Sequence, residues 1–523
     1  MTTSKHTAGG GAEMRSAVEV KTDRKLGEIS PYIYGQYFEH LEDCIYPSVW
    51  DDRSPHADEF GLRKDVIREA AELAVPVVRW PGGCFADLYH WEDGIGPAAD
   101  RPVRRNWHWG GTESNRFGTD EFLRWCELVG AEPYINFNLG TGTLDEALRW
   151  MDYCNGAEPT KDVLARRANG REEPYNVKFW GIGNETWGTW EAGRMNAETY
   201  AWTLANWCEF VRKAQPDARI LAVGSSDAND PDWDRKVLEA AGTYIDYLTL
   251  HTYAWSLDRA TGAEYYPVVF TADYMRERMR KMIRVIQEAS GQSRRPIRIA
   301  VDEWNIRHYV KDDSTGKERL FRRSPRTLQD AVFAAGVLNA MIRLSPHVGM
   351  ANYVFLVNGN GVMNVDGDTI VRTPLYHIFQ QYGRWMRGDA VETVVHGPKR
   401  EAPAPQIHHP GCPVPEDYTL AEVAYLDAAA SLSGDRLAVS LVNRHQSEPI
   451  TAELTVPESF ELASAWTLYH DDIYASNDTA APERVVPVLS AADAGAREWE
   501  CPPHSVVLLS FRRKPSRQAG DQP

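Results

Sequence analysis

Between residues 31 and 388 the chain alternates, eight times over, a short apolar run with a longer amphipathic one. The apolar runs are Tyr32–His40, Val75–Gly82, Pro133–Leu139, Val177–Glu185, Arg219–Ser225, Tyr247–Tyr253, Arg298–Asn305 and Met350–Val357. Near-continuous hydrophobicity over so few residues reads as a strand buried on both faces. The intervening stretches repeat their apolar residues at helical period. They are Asp65–Leu73, Thr119–Val129, Leu144–Tyr153, Ala197–Ala214, Asp234–Ala241, Ala272–Ala289, Thr327–Leu344 and Leu375–Trp385. Alternating strands and helices impose a parallel sheet, and eight such units predict a closed (β/α)8 TIM barrel over 31–388. An open doubly wound sheet is the rival. It would place a Gly-rich phosphate turn after the first strand, where this chain has Gly35-Gln36-Tyr37-Phe38.

Beyond residue 389 the texture changes. Gly397–Glu416 is rich in Pro, His and Gly and reads as a long loop. Arg436–Asn443, Ile450–Val456, Ala465–Tyr469 and Ser505–Phe511 then alternate at strand period, predicting an antiparallel β-sandwich over 389–513. Within the N-terminal segment 1–30, Ala17–Lys21 is expected to join that sandwich, and 514–523 is expected to be a disordered tail.

The formal net charge of −17 argues against nucleic acid or an anionic membrane as partner, since phosphate binding needs basic surface. The 7 cysteines are scattered without a CxxC, so no disulfide framework is expected. Met1–Ala17 lacks the apolar core of a signal peptide, and a cytoplasmic setting is expected. His408, His409 and Cys412 lack a second ligand pair for a metal site.

Two strand ends carry chemistry. Val177–Gly183 leads into Asn184-Glu185, and Ile297–Val301 leads into Asp302-Glu303-Trp304-Asn305. By count these are strands four and seven, whose carboxyl ends face each other across a barrel mouth, where such folds build their active sites. Two facing carboxylates are what glycosidic hydrolysis needs, and direct opposition suits the short spacing of a retaining enzyme. One must be ionised as nucleophile and the other protonated as acid, so their surroundings must separate their pKa values. Asn184 offers an amide for a sugar hydroxyl. Either glutamate alone has a plain alternative as a structural ion pair.

Gly183-Asn184-Glu185 and Asp302-Glu303-Trp304-Asn305 resemble the acid/base and nucleophile motifs of glycoside hydrolase family 51, the α-L-arabinofuranosidases. The likeness extends through Gly35–His40, Arg79–Asp87, Tyr89-His90-Trp91, Asp93–Pro97, Asn106-Trp107, Trp109-Gly110-Gly111 and Phe117-Gly118-Thr119, and on to Arg484–Pro487 and Pro502–Val506. It implies a retaining, exo-acting furanosidase that needs no cofactor and assembles as a homo-oligomer, often a hexamer. It makes Glu303 the nucleophile and Glu185 the acid/base. By the same match Glu39, Cys84 and Asn184 bind ring hydroxyls, His251 and Tyr253 orient the nucleophile and line the pocket, and Trp109 closes one side. A buried filler, a satisfied core histidine and simple packing are the plain alternatives for Cys84, His251 and Trp109.

The chain also departs from the family pattern. Arg307 stands where many members have a second Trp, Phe355 where many have a Gln, and Leu88 where a Glu is common. These positions touch the pocket wall, so the sugar is less fixed than the reaction. A furanosidase for D-arabinofuranose or galactofuranose is the enzymatic rival, with a β-glycan hydrolase more distant. From another class comes a non-catalytic sugar-binding barrel, which would have no need of both glutamates.

Overall fold

In the computed structural model, eight parallel strands pair in sequence order and close when Arg298–Lys311 meets both Tyr247–Ser256 and Val348–Tyr353. The remaining barrel strands are Gly35–Tyr37, Val77–Trp80, Glu132–Phe137, Phe179–Ile182 and Arg219–Ala222. The structure describes residues 13–225, 232–257, 264–289, 296–311, 318–407, 419–491 and 493–515. The expected histidine pair and Cys412, and all of the expected tail beyond residue 515, lie outside them. The barrel axis is plugged at one end by Val77, Tyr134, Phe179, Leu221, Tyr247, Ala300 and Met350, one residue from each of seven strands. The mouth at the strands' carboxyl ends is left for polar groups.

Each expected helix is present, and Lys161–Ala168 adds one that its short, charge-rich sequence did not announce. Thr160 caps it by accepting from the Val163 N–H, which satisfies one of the orphan donors of the first turn. No helix of the described residues is long and apolar enough to cross a membrane.

The seventh strand does not stop at Asn305. It continues to Lys311, paired with an equally extended sixth strand so that His308 lies opposite Ser256. It also carries one extra residue. Ala300 faces Thr249 and Glu303 faces His251 on one side, while Val301 faces Ala351 and Trp304 faces Tyr353 on the other. Strict alternation would send Asp302 and Glu303 to opposite faces of the sheet. The bulge turns both inward, and both reach Arg79.

The C-terminal strands form one nine-stranded sheet rather than two separately bonded ones. It curls round a core that includes Val18, Val391, Leu441, Leu462 and Leu509. Asn443, in a central strand, donates to the Cys501 carbonyl of the end strand across 3.0 Å, which marks how far the sheet folds back. The N-terminal strand is longer than expected, Met14–Glu28, and lies between Asp389–His396 and Ile450–Thr455. This sheet is fixed to the barrel helices by Asp427, which binds Arg343 at 2.7 Å and Asn339 at 2.9 Å.

Candidate active site

The chain leaves the fourth strand through Gly183 at φ +89° and places Glu185 at φ +40°, in the left-handed region that non-glycine residues rarely occupy. This turn lifts Glu185 over the barrel mouth while Asn184 stays below it. Glu303 faces it from the seventh strand. A carboxylate oxygen of each, together with a ring nitrogen of His251, lie within 4.8 Å of one another.

Glu303 is held from three sides. Arg79 Nη1 donates to Oε1 at 2.7 Å, and the Tyr253 hydroxyl donates to Oε2 at 2.6 Å. The Tyr37 hydroxyl approaches Oε1 at 3.5 Å. Arg79 is fully buried and spends its other amino group on Asn184 Oδ1 at 2.7 Å. Gly83 is needed here because a Cβ would sit 2.6 Å from Glu303 Oε1. Asp302, beside the nucleophile candidate, accepts from Tyr134 at 2.9 Å. Burial pushes Asp302 up, but Arg79 and His251 outweigh it and hold the carboxyl below its usual value.

Glu185 Oε1 lies 2.8 Å from His251 Nδ1, and Trp190 Nε1 donates to Oε2 at 2.8 Å. Burial pushes Glu185 up, yet the His251 contact, Arg307 and Trp190 together bring it down to about 2. His251 is opposed by burial but surrounded by Glu303, Asp302 and Glu185, which raise it to about 10. His251 and Glu185 therefore form an ion pair at neutral pH.

The pocket wall is made by Glu39, Cys84, Trp109, Tyr253, Arg307 and Phe355 around the two catalytic candidates. Asn184 and His251 stand just behind it. Glu39 Oε1 accepts from the Phe85 N–H and from Trp109 Nε1, each at 3.1 Å, and from the Gly83 N–H at 3.3 Å, while among the described residues Oε2 faces the Tyr37 hydroxyl at 3.4 Å. Burial, then the charge of Glu303, raises Glu39 above its ordinary value. The Arg307 guanidinium stacks 3.6 Å from the Tyr253 ring, and Phe355 meets Tyr37 edge-on at 5.4 Å. Arg322 covers Trp109 from outside at 4.8 Å.

Sequence reasoning gave no role to Arg79 or Asp302, although both lie inside the motifs it singled out. It missed Trp190 and Glu191 altogether, because they sit in a loop with no periodicity. Glu191 is buried, and its Oε1 accepts from Asn184 Nδ2 at 3.1 Å. Burial, Glu185 and Asp87 raise it to about 9.

A (β/α)8 barrel whose mouth presents two close, differently partnered carboxylates inside an aromatic-walled pocket has the equipment of a glycoside hydrolase. Family profiles match the α-L-arabinofuranosidase 1 domain over residues 69–268 and the α-L-arabinofuranosidase C-terminal domain over 302–505. A probable α-L-arabinofuranosidase C of Aspergillus terreus is 33% identical over 517 residues, covering 95% of this chain and 97% of its own. An intracellular exo-α-(1→5)-L-arabinofuranosidase 1 of Bacillus subtilis is 31% identical over 480 residues, covering 88% and 91%. The thermostable family 51 α-L-arabinofuranosidase structure from Thermotoga petrophila superposes with a TM-score of 0.84 at 36% identity, covering 95% of this chain and 99% of that one. The chain belongs to the α-L-arabinofuranosidases of glycoside hydrolase family 51, enzymes acting on arabinofuranosides.

Proposed function

We propose that the pocket removes single terminal α-L-arabinofuranosyl residues with retention of configuration, Glu303 serving as nucleophile and Glu185 as acid/base. The facing of the two carboxylates carries this reading: one oxygen of each lies within 4.8 Å of the other, and both approach the same His251 Nδ1, at 2.8 and 3.5 Å, which suits the shorter of the two known spacings. Retaining enzymes hold their carboxyl groups about 5–5.5 Å apart, whereas inverting ones need about 6.5–9.5 Å to admit a water.

In the first step the ionised Glu303 attacks the anomeric carbon, the bond to the leaving oxygen breaks, and that oxygen takes a proton from Glu185. In the second step Glu185 removes a proton from water as its oxygen attacks the same carbon, which frees Glu303. The acid proton is shared by Glu185 and His251. A sugar seated over the pair strips its water and so favours the uncharged arrangement, with the proton on Glu185 and His251 neutral. Arg79 and Tyr253, donating to its two oxygens, hold Glu303 aimed. Glu39, Cys84 and Asn184 hold ring hydroxyls, and Trp109 closes one side of the pocket.

Arabino-oligosaccharides in the cytoplasm are the proposed substrates, supported by the likeness to the intracellular exo-α-(1→5)-L-arabinofuranosidase 1 of Bacillus subtilis. Assembly as a homo-oligomer, a hexamer by family resemblance, belongs to the same reading. A second reading, another furanose in the same pocket, is favoured by Arg307 and Phe355 in a wall where many members have Trp and Gln.

Initial rates on 4-nitrophenyl α-L-arabinofuranoside, α-D-arabinofuranoside, β-D-galactofuranoside, β-D-xyloside and β-D-glucoside separate these readings. The α-L-arabinofuranoside is expected to be fastest, and turnover in methanol is expected to give the methyl glycoside of unchanged anomeric configuration. A maximum on another furanoside selects the second reading. An inverted product overturns the double displacement.

A further inference from the structure

We propose that Cys84, His108 and Glu191 form a site for a thiophilic divalent cation of the Zn²⁺ type, whose occupancy shuts the sugar pocket. The three residues come from three different loops over the barrel mouth, the ones after the second strand, around Asn106–Gly111 and after the fourth strand. One ligand atom of each, a thiol sulfur, an imidazole nitrogen and a carboxylate oxygen, lies within 4.8 Å of the other two. Metal–ligand bonds of about 2.0–2.3 Å in a tetrahedron put ligand atoms roughly 3.3–3.8 Å apart, so small side-chain adjustments complete the site. Sulfur with nitrogen and a single carboxylate selects Zn²⁺ over Mg²⁺ or Ca²⁺, and three protein ligands leave the fourth position open.

The groups are prepared for such a guest. Glu191 is 4% exposed, and among the described residues its Oε2 receives no N–H or O–H donor, the Cys84 thiol being the neighbour of this carboxylate. Its Oε1 is fixed by Asn184, which is itself anchored by Arg79. The His108 ring stands edge-on to Trp109 at 4.5 Å and 72°. A thiolate and a carboxylate together neutralise a doubly charged cation, so the filled site carries no net charge into a buried corner. Coordination releases the protons of the Cys84 thiol and the Glu191 carboxyl to solvent. The consequence for turnover rests on the function proposed above, because it takes Cys84 from the sugar and sets a cation beside Glu185.

The test uses the full-length protein and Co²⁺ as an optical probe. Titration is expected to give one thiolate-to-cobalt charge-transfer band per chain, with visible bands of tetrahedral intensity, all erased by Zn²⁺ and untouched by Mg²⁺. Cys84→Ser should abolish the charge-transfer band, and Cys412→Ser should leave it. His108→Gln and Glu191→Gln should each weaken binding by at least the roughly 10- to 100-fold that losing a mere partner of a metal ligand costs. In hydrolysis assays Zn²⁺ should raise KM at constant kcat, and the His108→Gln enzyme should need correspondingly more of it. No thiolate band, a band that survives in Cys84→Ser, or Zn²⁺ bound with KM unchanged each overturns the proposal. The cobalt spectra do not depend on the sugar, so they separate failure of this site from failure of the hydrolytic reading.

Discussion

His251 Nδ1 lies 2.8 Å from Oε1 of Glu185, while Nε2 of the same ring lies 3.3 Å from Asp302 Oδ1. The imidazole thus bridges the acid/base candidate and the carboxylate next to the nucleophile candidate. A proton added to it is felt on both sides of the scissile bond.

That bridge sets a pH dependence of stability. His251 is raised from 6.5 to about 10 in the fold, so its contribution is complete below pH 6.5 and is lost as pH rises through about 10. The stability gap between wild type and His251→Asn is therefore expected to be widest between about pH 4.5 and 6.5, to shrink above that as His251 loses its proton, and to shrink in acid as Glu185, lowered to about 2 by the same contact, gains one. Urea midpoints over a pH series check this. A gap that grows on the alkaline side would refute the charged bridge.

Removing the two carboxylates has different signatures. Glu303→Ala is expected to lose turnover by roughly ten-thousandfold or more, with azide restoring rate and yielding a glycosyl azide of inverted configuration. Glu185→Ala is expected to lose about 10²–10⁴-fold on poor leaving groups and far less on 2,4-dinitrophenolate, because the acid is then unnecessary. Azide product from this variant should retain configuration. Exchanged signatures would swap the two roles.

Gly83→Ala probes position alone. The new methyl would fall 2.6 Å from Glu303 Oε1 and 2.8 Å from the Tyr37 hydroxyl, so the carboxylate must move. A shift of about 1 Å costs on the order of a hundredfold in kcat. Single-turnover rates should show this loss with little change in melting temperature, and wild-type rates would mean that Glu303 is not held where it reacts.

Tyr253→Phe keeps the ring beneath Arg307 and deletes only the hydroxyl that donates to Glu303 Oε2 at 2.6 Å. Losing one donor to a buried charge is worth about 1–3 kcal/mol, or roughly 5- to 160-fold in kcat/KM. The comparison of kcat/KM for the two enzymes on one aryl glycoside measures it, and equality would remove Tyr253 from the machinery.

The barrel was legible because parallel strands buried on both faces must be continuous apolar runs, and each of the eight was visible as one. Glu185 and Glu303 were legible for the same reason, each closing such a run. The bulge at Asp302 was not, since an extra residue leaves no mark on composition. Nor was the extension of the seventh strand, whose polar Asn305, Arg307 and His308 do not alternate with solvent but with a long partner strand. In the C-terminal sheet, Leu426–Ser433 escaped notice because its alanine run carries little strand propensity. Glu191 and His108 were beyond reach because loops gather residues by three-dimensional convergence, and nothing in their own neighbourhoods announces it.

The strand Met14–Glu28 has a consequence for the order in which the molecule comes together. Its two flanking partners, Asp389–His396 and Ile450–Thr455, are synthesised only after the whole barrel. An emerging chain must keep this early segment unpaired, with both hydrogen-bonding edges bare, through several hundred residues of translation. Closure of so distant a pairing is slow, so the clasp between this early strand and its two late partners forms behind the barrel.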